Sequence, residues 1–235
     1  MPLRLVSSPA KRTRIFHEIH ALWLLAWPIL VGQLANVGMS VIDVAMAGHA
    51  SAEDLAGVSL GVSIWNMVII TLMGIMMSIS PVVSHHVGAK AFDQVPEVVR
   101  QGVWKALGVG LIAMVLANIA TLVFDYLSLE PKVRDLAKNF VHITSFALPA
   151  FACYRVLYGY SASLNQTKPL MITALGALVL NGVVNWLLIF GNLGFPQLGG
   201  LGCAWSTLLC VWFNLLVLLW WMRRAPAYRS TWPFT

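Results

Sequence analysis

Asp43 is the residue of this chain best placed to do chemistry, because it stands well inside a long apolar run between Ala21 and Ala47. Insertion scales put an Asp near mid-bilayer at about +2.5 to +3.5 kcal/mol. An acid at that depth is therefore a functional-site hypothesis by default. Gln33, Asn36 and Ser40 precede it, so that the four fall at i, i+3, i+7 and i+10. At about 100° per residue they share one narrow helix face. Such a stripe is expected to face a polar cavity or other helices, where its Asp can hold a cation or a proton. The competing reading is an acid paired to a neighbouring helix only to fix packing, which Asn or Ser would do at lower cost.

Other polar residues within apolar runs qualify this picture. Asn181 and Asn185 are four apart and share a helix face. Alone they would serve interhelical hydrogen bonding. Beside Asp43 their amide oxygens can coordinate a cation and their N–H groups can orient a carboxylate. Asp43, Asn181 and Asn185 thus form a candidate cation-coupling site, with Gln33, Asn36 and Ser40 as its polar cavity stripe. His85 and His86 end another run, and adjacent positions face different ways, so a shared metal is not expected; interfacial polarity or proton movement are the two readings. Arg155 lies toward one end of its run, can snorkel, and suits a structural or gating role. Cys153, Cys203 and Cys210 lack metal-ligand spacing and read as small, reduced packing residues. There is no Gly-rich phosphate loop beside a Lys, no H-E-x-x-H, no G-x-S-x-G and no pair of intramembrane acids. No enzyme, no cofactor and no metal centre is expected, apart from sodium at Asp43.

These residues must be positioned by membrane helices. Hydrophobic residues make up 59% of the 235-residue chain and charged residues 10%, against roughly 25% charged in soluble domains. The fold class read from this is an all-α polytopic membrane domain. Six segments are long enough to cross roughly 30 Å of hydrocarbon, at approximately 21–47, 55–85, 104–125, 138–161, 169–190 and 200–222. They make one domain over 21–222, with basic tails at 1–20 and 223–235. The fourth is the least regular, since it holds His142 and Arg155. Pro28 and Pro149 predict kinks, while Gly57, Gly61, Gly108 and Gly110 predict close helix approaches. The N-terminus is basic and Ala45-Met46-Ala47 fits a cleavage site, but the apolar run far exceeds the roughly 7–15 residues of a signal peptide. It reads as an uncleaved first helix.

Charge sets the orientation. Of the 15 Lys and Arg residues only Lys132, Arg134 and Lys138 fall on the outer side if both termini are cytoplasmic. That distribution fits the positive-inside rule for an even number of spans. The net charge of +6 follows from this topology. The basic residues form no stripe with interleaved aromatics, so nucleic acid is not an expected partner. Trp220 and Trp221, followed by Arg223 and Arg224, make an interfacial anchor.

Several stretches together resemble the multidrug and toxic compound extrusion (MATE) transporters, in particular their NorM-like branch. They are Trp27–Gln33, Met39–Gly48, Asp54–Ser59, Ser80–Ala89, Thr167–Pro169, Leu180–Gly191 and Pro196–Ala204. The resemblance runs from about residue 20 to 222. It implies a cation-coupled antiporter of the plasma (inner) membrane that extrudes amphipathic, often cationic drugs or toxic compounds by alternating access. It also implies that Asp43 is tied to sodium or proton coupling, with Asn181 and Asn185 as the polar pair of the fifth helix. Some branches carry a second acid at the position of Asn185, and Asn here agrees with the NorM-like branch. The family fold is two six-helix lobes, of which this chain matches the N-terminal one. A second lobe is then the expected partner, either a missing C-terminal half or a second copy in a homodimer. Two other readings stay open: a flippase for lipid-linked substrates of the same superfamily, and a truncated, non-transporting fragment.

Overall fold

The computed structural model describes residues 9–234, with side chains from residue 18 onward except residue 21. Arg4, and the side chains of Lys11, Arg12 and Arg14, on which the basic tail 1–20 rests, lie outside the described residues. The described chain is helical, without a strand. In order the helices are α1 (Pro9–Ala50), α2 (Ala52–Met76), α3 (Ile79–Gly88), α4 (Val95–Ala120), α5 (Val123–Tyr126), α6 (Pro131–Ser145), α7 (Leu148–Ser163), α8 (Lys168–Phe190) and α9 (Gly200–Arg224). Five stretches are long and apolar enough to cross a membrane, and a sixth follows if α6 and α7, bent by 47°, count as one.

The spans are longer and more broken than the sequence pattern suggests. The first span lies within a 42-residue helix, Pro9–Ala50, which extends on the N-terminal side of residue 21. It continues through Pro28 as one helix. The second span, expected as 55–85, is interrupted after Met76 and resumes at Ile79. The third starts at Val95 rather than 104 and is interrupted at Thr121 and Leu122. The fourth, expected over 138–161, starts at Pro131 and bends between Ser145 and Leu148, with Pro149 at the start of α7. A proline in the first helical turn needs no N–H donor and disfavours helix in the residue before it, which suits a restart. Gly191, at φ +70°, ends α8 in the left-handed conformation that glycine adopts without a Cβ clash.

Packing follows the small residues. The main helix pairings are α4 with α7, α1 with α8, α8 with α9, and α2 with α6. At Gly61 an added Cβ would stand 2.5 Å from the Phe140 ring, and at Gly110 it would stand 2.6 Å from Cα of Pro149. Gly57 likewise seats Leu136, whereas Gly108 faces open space. Lipid tails are as apolar as Leu, so helices associate through close packing of this kind. Large apolar side chains point outward instead: Leu34, Met67, Trp104 and Val179 are each more than 60% exposed. That is the surface of a protein whose solvent is hydrocarbon.

The C-terminal segment, read above as a basic tail over 223–235, folds back on the helices. A 3₁₀ turn, Pro226–Thr231, carries Tyr228 and Thr231 back under the bundle, where both are buried. Tyr160 donates to the Thr231 carbonyl at 2.8 Å, and the Ser161 and Tyr228 hydroxyls meet at 2.5 Å. Burial pushes the Tyr228 phenol above its ordinary pKa. Serine and tyrosine at the foot of α7 give this turn its partners.

Candidate functional site

α1 and α8 approach closely because Gly32 lies against Leu170 and Ala174, and Gly38 against Leu178. This contact carries Asp43 to the polar face of α8. Asn181 Nδ2 donates to Asp43 Oδ1 at 3.0 Å, and Asn185 Nδ2 donates to the same oxygen at 2.6 Å. Asn185 Nδ2 also reaches Asn181 Oδ1 at 3.3 Å. Behind them Ser206 on α9 accepts from Asn181 Nδ2 and donates to the Asn181 carbonyl, both at 3.2 Å. Asn181, Asn185 and Ser206 are all but inaccessible, while Asp43 is partly exposed. The three helices thus hold one carboxylate oxygen from the protein side.

Two oxygens of this cluster remain without a donor. Asp43 Oδ2 accepts no hydrogen bond from the described residues, and Asn185 Oδ1 is buried without a partner. A buried acceptor left unpaired costs roughly 1–3 kcal/mol, and a donor or a cation placed there would relieve that cost. Carboxylate and amide oxygens are hard donors of the kind that suit an alkali cation, and a carboxylate can equally take a proton. The arrangement can therefore exchange charge at Asp43 without breaking the bonds that locate it.

Asp43 borders a cavity of about 280 Å³. Gln33, Asn36 and Ser40 line it too, so the four residues of the stripe face one space. Asn36 donates to Gln33 at 3.3 Å along the helix. On its other walls stand Trp65 and Asn66 of α2, Phe151 and Tyr154 of α7, and Thr207 and Asn214 of α9. Arg155 lines the cavity as well. Its Nε is buried and its guanidinium lies 4.8 Å from the Tyr158 ring centroid, a placement beside the cavity that its position in the span did not disclose. Which wall a side chain faces depends on the rotation of α7, and the restart after Ser145 sets that rotation. Asn66 and Asn214 are site residues that the sequence reading passed over. Each is a lone amide deep in an apolar span, the same signal that singled out Asp43. His85 and His86 lie elsewhere, at the end of α3, with ring centroids 5.9 Å apart. Cys153, Cys203 and Cys210 are buried free thiols.

Comparison with known proteins places this architecture. The MatE family model matches residues 28–187. The probable multidrug resistance protein NorM of Acinetobacter baylyi is 35% identical over 218 residues, covering 93% of this chain and 49% of that protein. The NorM of Neisseria meningitidis serogroup A is 40% identical over 202 residues, covering 86% and 44%. PmpM, a multidrug resistance protein of Pseudomonas aeruginosa, is 35% identical over 231 residues, covering 96% and 48%. The chain therefore spans about half the length of the curated relatives it matches. Among solved structures, the eukaryotic transporter AtDTX14 superposes with a TM-score of 0.84 at 19% identity, over 92% of this chain and 48% of that one. An outward-facing multidrug resistance transporter superposes with a TM-score of 0.80 at 20% identity, over 92% and 47%. At such identities the superpositions speak for the fold alone, and each covers about half of the solved chain.

Proposed function

The chain belongs to the MATE family, and on that premise we propose that it is the N-terminal lobe of a cation-coupled multidrug efflux antiporter of the plasma (inner) membrane. One observation carries the proposal: two buried amides pin a single oxygen of Asp43 while the carboxylate borders a cavity of about 280 Å³. Asp43 then switches between ionised and protonated, or between free and sodium-bound, with Asn181 and Asn185 keeping it in place. A cationic substrate in the cavity competes for the same charge. Exclusion of one cation by the other is the elementary requirement of antiport.

To move substrate, that exchange must bias a two-state rocking of one lobe against another. The partner is a second six-helix lobe, on the same polypeptide or supplied by another chain or copy. The cavity supports efflux of amphipathic compounds over a lipid-linked flippase. A phosphate-handling cavity calls for several cations, and among the described residues Arg155 is the one that lines it.

The test is export of ethidium from cells lacking other pumps. The chain co-expressed with a matching C-terminal lobe is expected to export, and Asp43→Asn to abolish export at normal expression. The chain held strictly monomeric is expected to export nothing. Unchanged export by Asp43→Asn would remove Asp43 from coupling, and export by the monomer would refute the two-lobe requirement. Replacing sodium by choline, or collapsing the pH gradient, identifies the ion by which treatment stops export.

A further inference from the structure

The cavity holds a second charge that the coupling site does not use. Arg155 brings a cation into this cavity, and a cation within a membrane span is costly unless something answers it. The ion pairs of the described residues are all formed elsewhere, by Arg100, Lys132, Arg134 and Lys138. Arg155 makes no hydrogen bond to any described residue, and its Nε is buried without an acceptor. Its one close interaction is with the face of Tyr158. Stacking occupies the flat side of a guanidinium and leaves the N–H donors in its plane, the geometry that grips a carboxylate by two parallel bonds.

The surroundings suit a planar compound. Trp65 and Phe151, 6.4 Å apart edge to face, line the same cavity as Arg155. Asn214 adds a buried Oδ1 without a donor. Asp43 borders the cavity without pairing to Arg155, so the space presents one charge of each sign.

We infer that Arg155 is a specificity-determining residue that makes this cavity prefer aromatic amphiphiles carrying a carboxylate over the same scaffold as a bare cation. The inference rests on the efflux reading above and names a substrate class for it. A zwitterion answers both charges, its carboxylate on Arg155 and its cationic end toward Asp43. A bare cation answers Asp43 alone and leaves the guanidinium without a counter-charge, which is how a site discriminates against a near-identical ligand.

Rhodamine 6G and its free acid, rhodamine 19, test this directly, since they share one xanthene and differ by an ethyl ester. Binding to the full 235-residue chain is measured by fluorescence anisotropy. The chain is held in phosphatidylcholine nanodiscs, so that no anionic lipid headgroup competes for the guanidinium. Rhodamine 19 is expected to bind about tenfold more tightly, the worth of a partly solvated charge-assisted hydrogen bond. In Arg155→Gln the ratio is expected to fall to within about twofold. Rhodamine 19 weakens in that variant and rhodamine 6G, relieved of a facing cation, strengthens. Arg155→Lys, which keeps the charge without the fork, is expected to fall between. Should Arg155→Gln fail to fold, Arg155→Lys carries the test, and a preference it retains in full would overturn the two-bond grip. Equal affinities in the unmodified chain, or a preference that survives Arg155→Gln, overturn the inference. Failure of both dyes to bind would sink the efflux-cavity reading itself, whereas binding without discrimination sinks only the carboxylate preference.

Discussion

Asp43 can be asked whether its charge serves folding or function. Both amides that hold it donate to Oδ1, and Asn185 Oδ1 beside them lacks a donor. An Asn at this position keeps an oxygen for the two amides and brings an N–H₂ group that Asn185 Oδ1 can accept. Asp43→Asn also removes an acid that costs about 2.5–3.5 kcal/mol at mid-bilayer. Its thermal midpoint in detergent is therefore expected to match or exceed that of the unmodified chain. Asp43→Ala strands two buried donors and is expected to be less stable by about 1–3 kcal/mol. An Asn variant as unstable as the Ala variant would mean that the charge itself holds the fold. The face shared by Asp43 and Asn36 was legible because helical periodicity alone places them together. The meeting of Asp43 with Asn181 and Asn185 was legible because apolar surroundings leave polar groups few partners. The orientation of Arg155 was not, since a helix restarted after a break can face any wall.

The helices owe their spacing to single glycines, and Gly108 with Gly110 gives a matched pair on α4. A Cβ at Gly110 would meet the backbone of Pro149, which cannot step aside as a side chain can. Gly110→Ala is expected to push α4 from α7 and destabilise by about 1–3 kcal/mol. Gly108, two residues away, faces open space. Gly108→Ala is expected to be neutral or to stabilise by up to about 1 kcal/mol through helix propensity. Equal effects in detergent melts would show that α4 does not depend on this contact. The C-terminal turn offers a second test at this scale. Tyr160→Phe removes the donor to Thr231 from a buried site and is expected to cost about 1 kcal/mol. It should also admit protease to the turn at Arg229. An unchanged cleavage rate would count against the latch. The span count and order were legible from run length, and Pro149 marked the bend at 146–147; the breaks at 77–78, just ahead of Pro81, and at 121–122 were not foreseen.

Across the whole molecule, contacts between distant segments sort the helix ends into two sides. Lys132 pairs with Glu53, Lys138 meets Asp125 at 2.5 Å, and Asp54 lies against Gly199. These bring the starts of the second, fourth and sixth spans together. Ser84 donates to Ser163 at 2.9 Å, and Ser161 meets Tyr228. These bring the ends of the same spans together on the other side. Relative alternation is thus built into the fold, and only its absolute sense depends on charge. The first side carries Lys132, Arg134 and Lys138, each beside an acid: Glu53, Asp125 or Asp135. The second carries Lys90, Arg100, Lys105, Lys168, Arg223, Arg224 and Arg229, and of these only Arg100 forms an ion pair among the described residues. Basic residues are retained on the cytoplasmic face, so the second side is expected to be cytoplasmic. Single cysteines at Gly88, Lys168 and Arg229 should be shielded from a membrane-impermeant maleimide added to intact spheroplasts, and those at Lys132 and Asn192 should react. The native thiols at Cys153, Cys203 and Cys210 are buried and leave a low background. Labelling of Gly88 and Lys168 with protection of Lys132 would invert the molecule. Labelling of Gly88 with protection of Lys168 would break the alternation itself, because the Ser84–Ser163 contact requires the two to share a side.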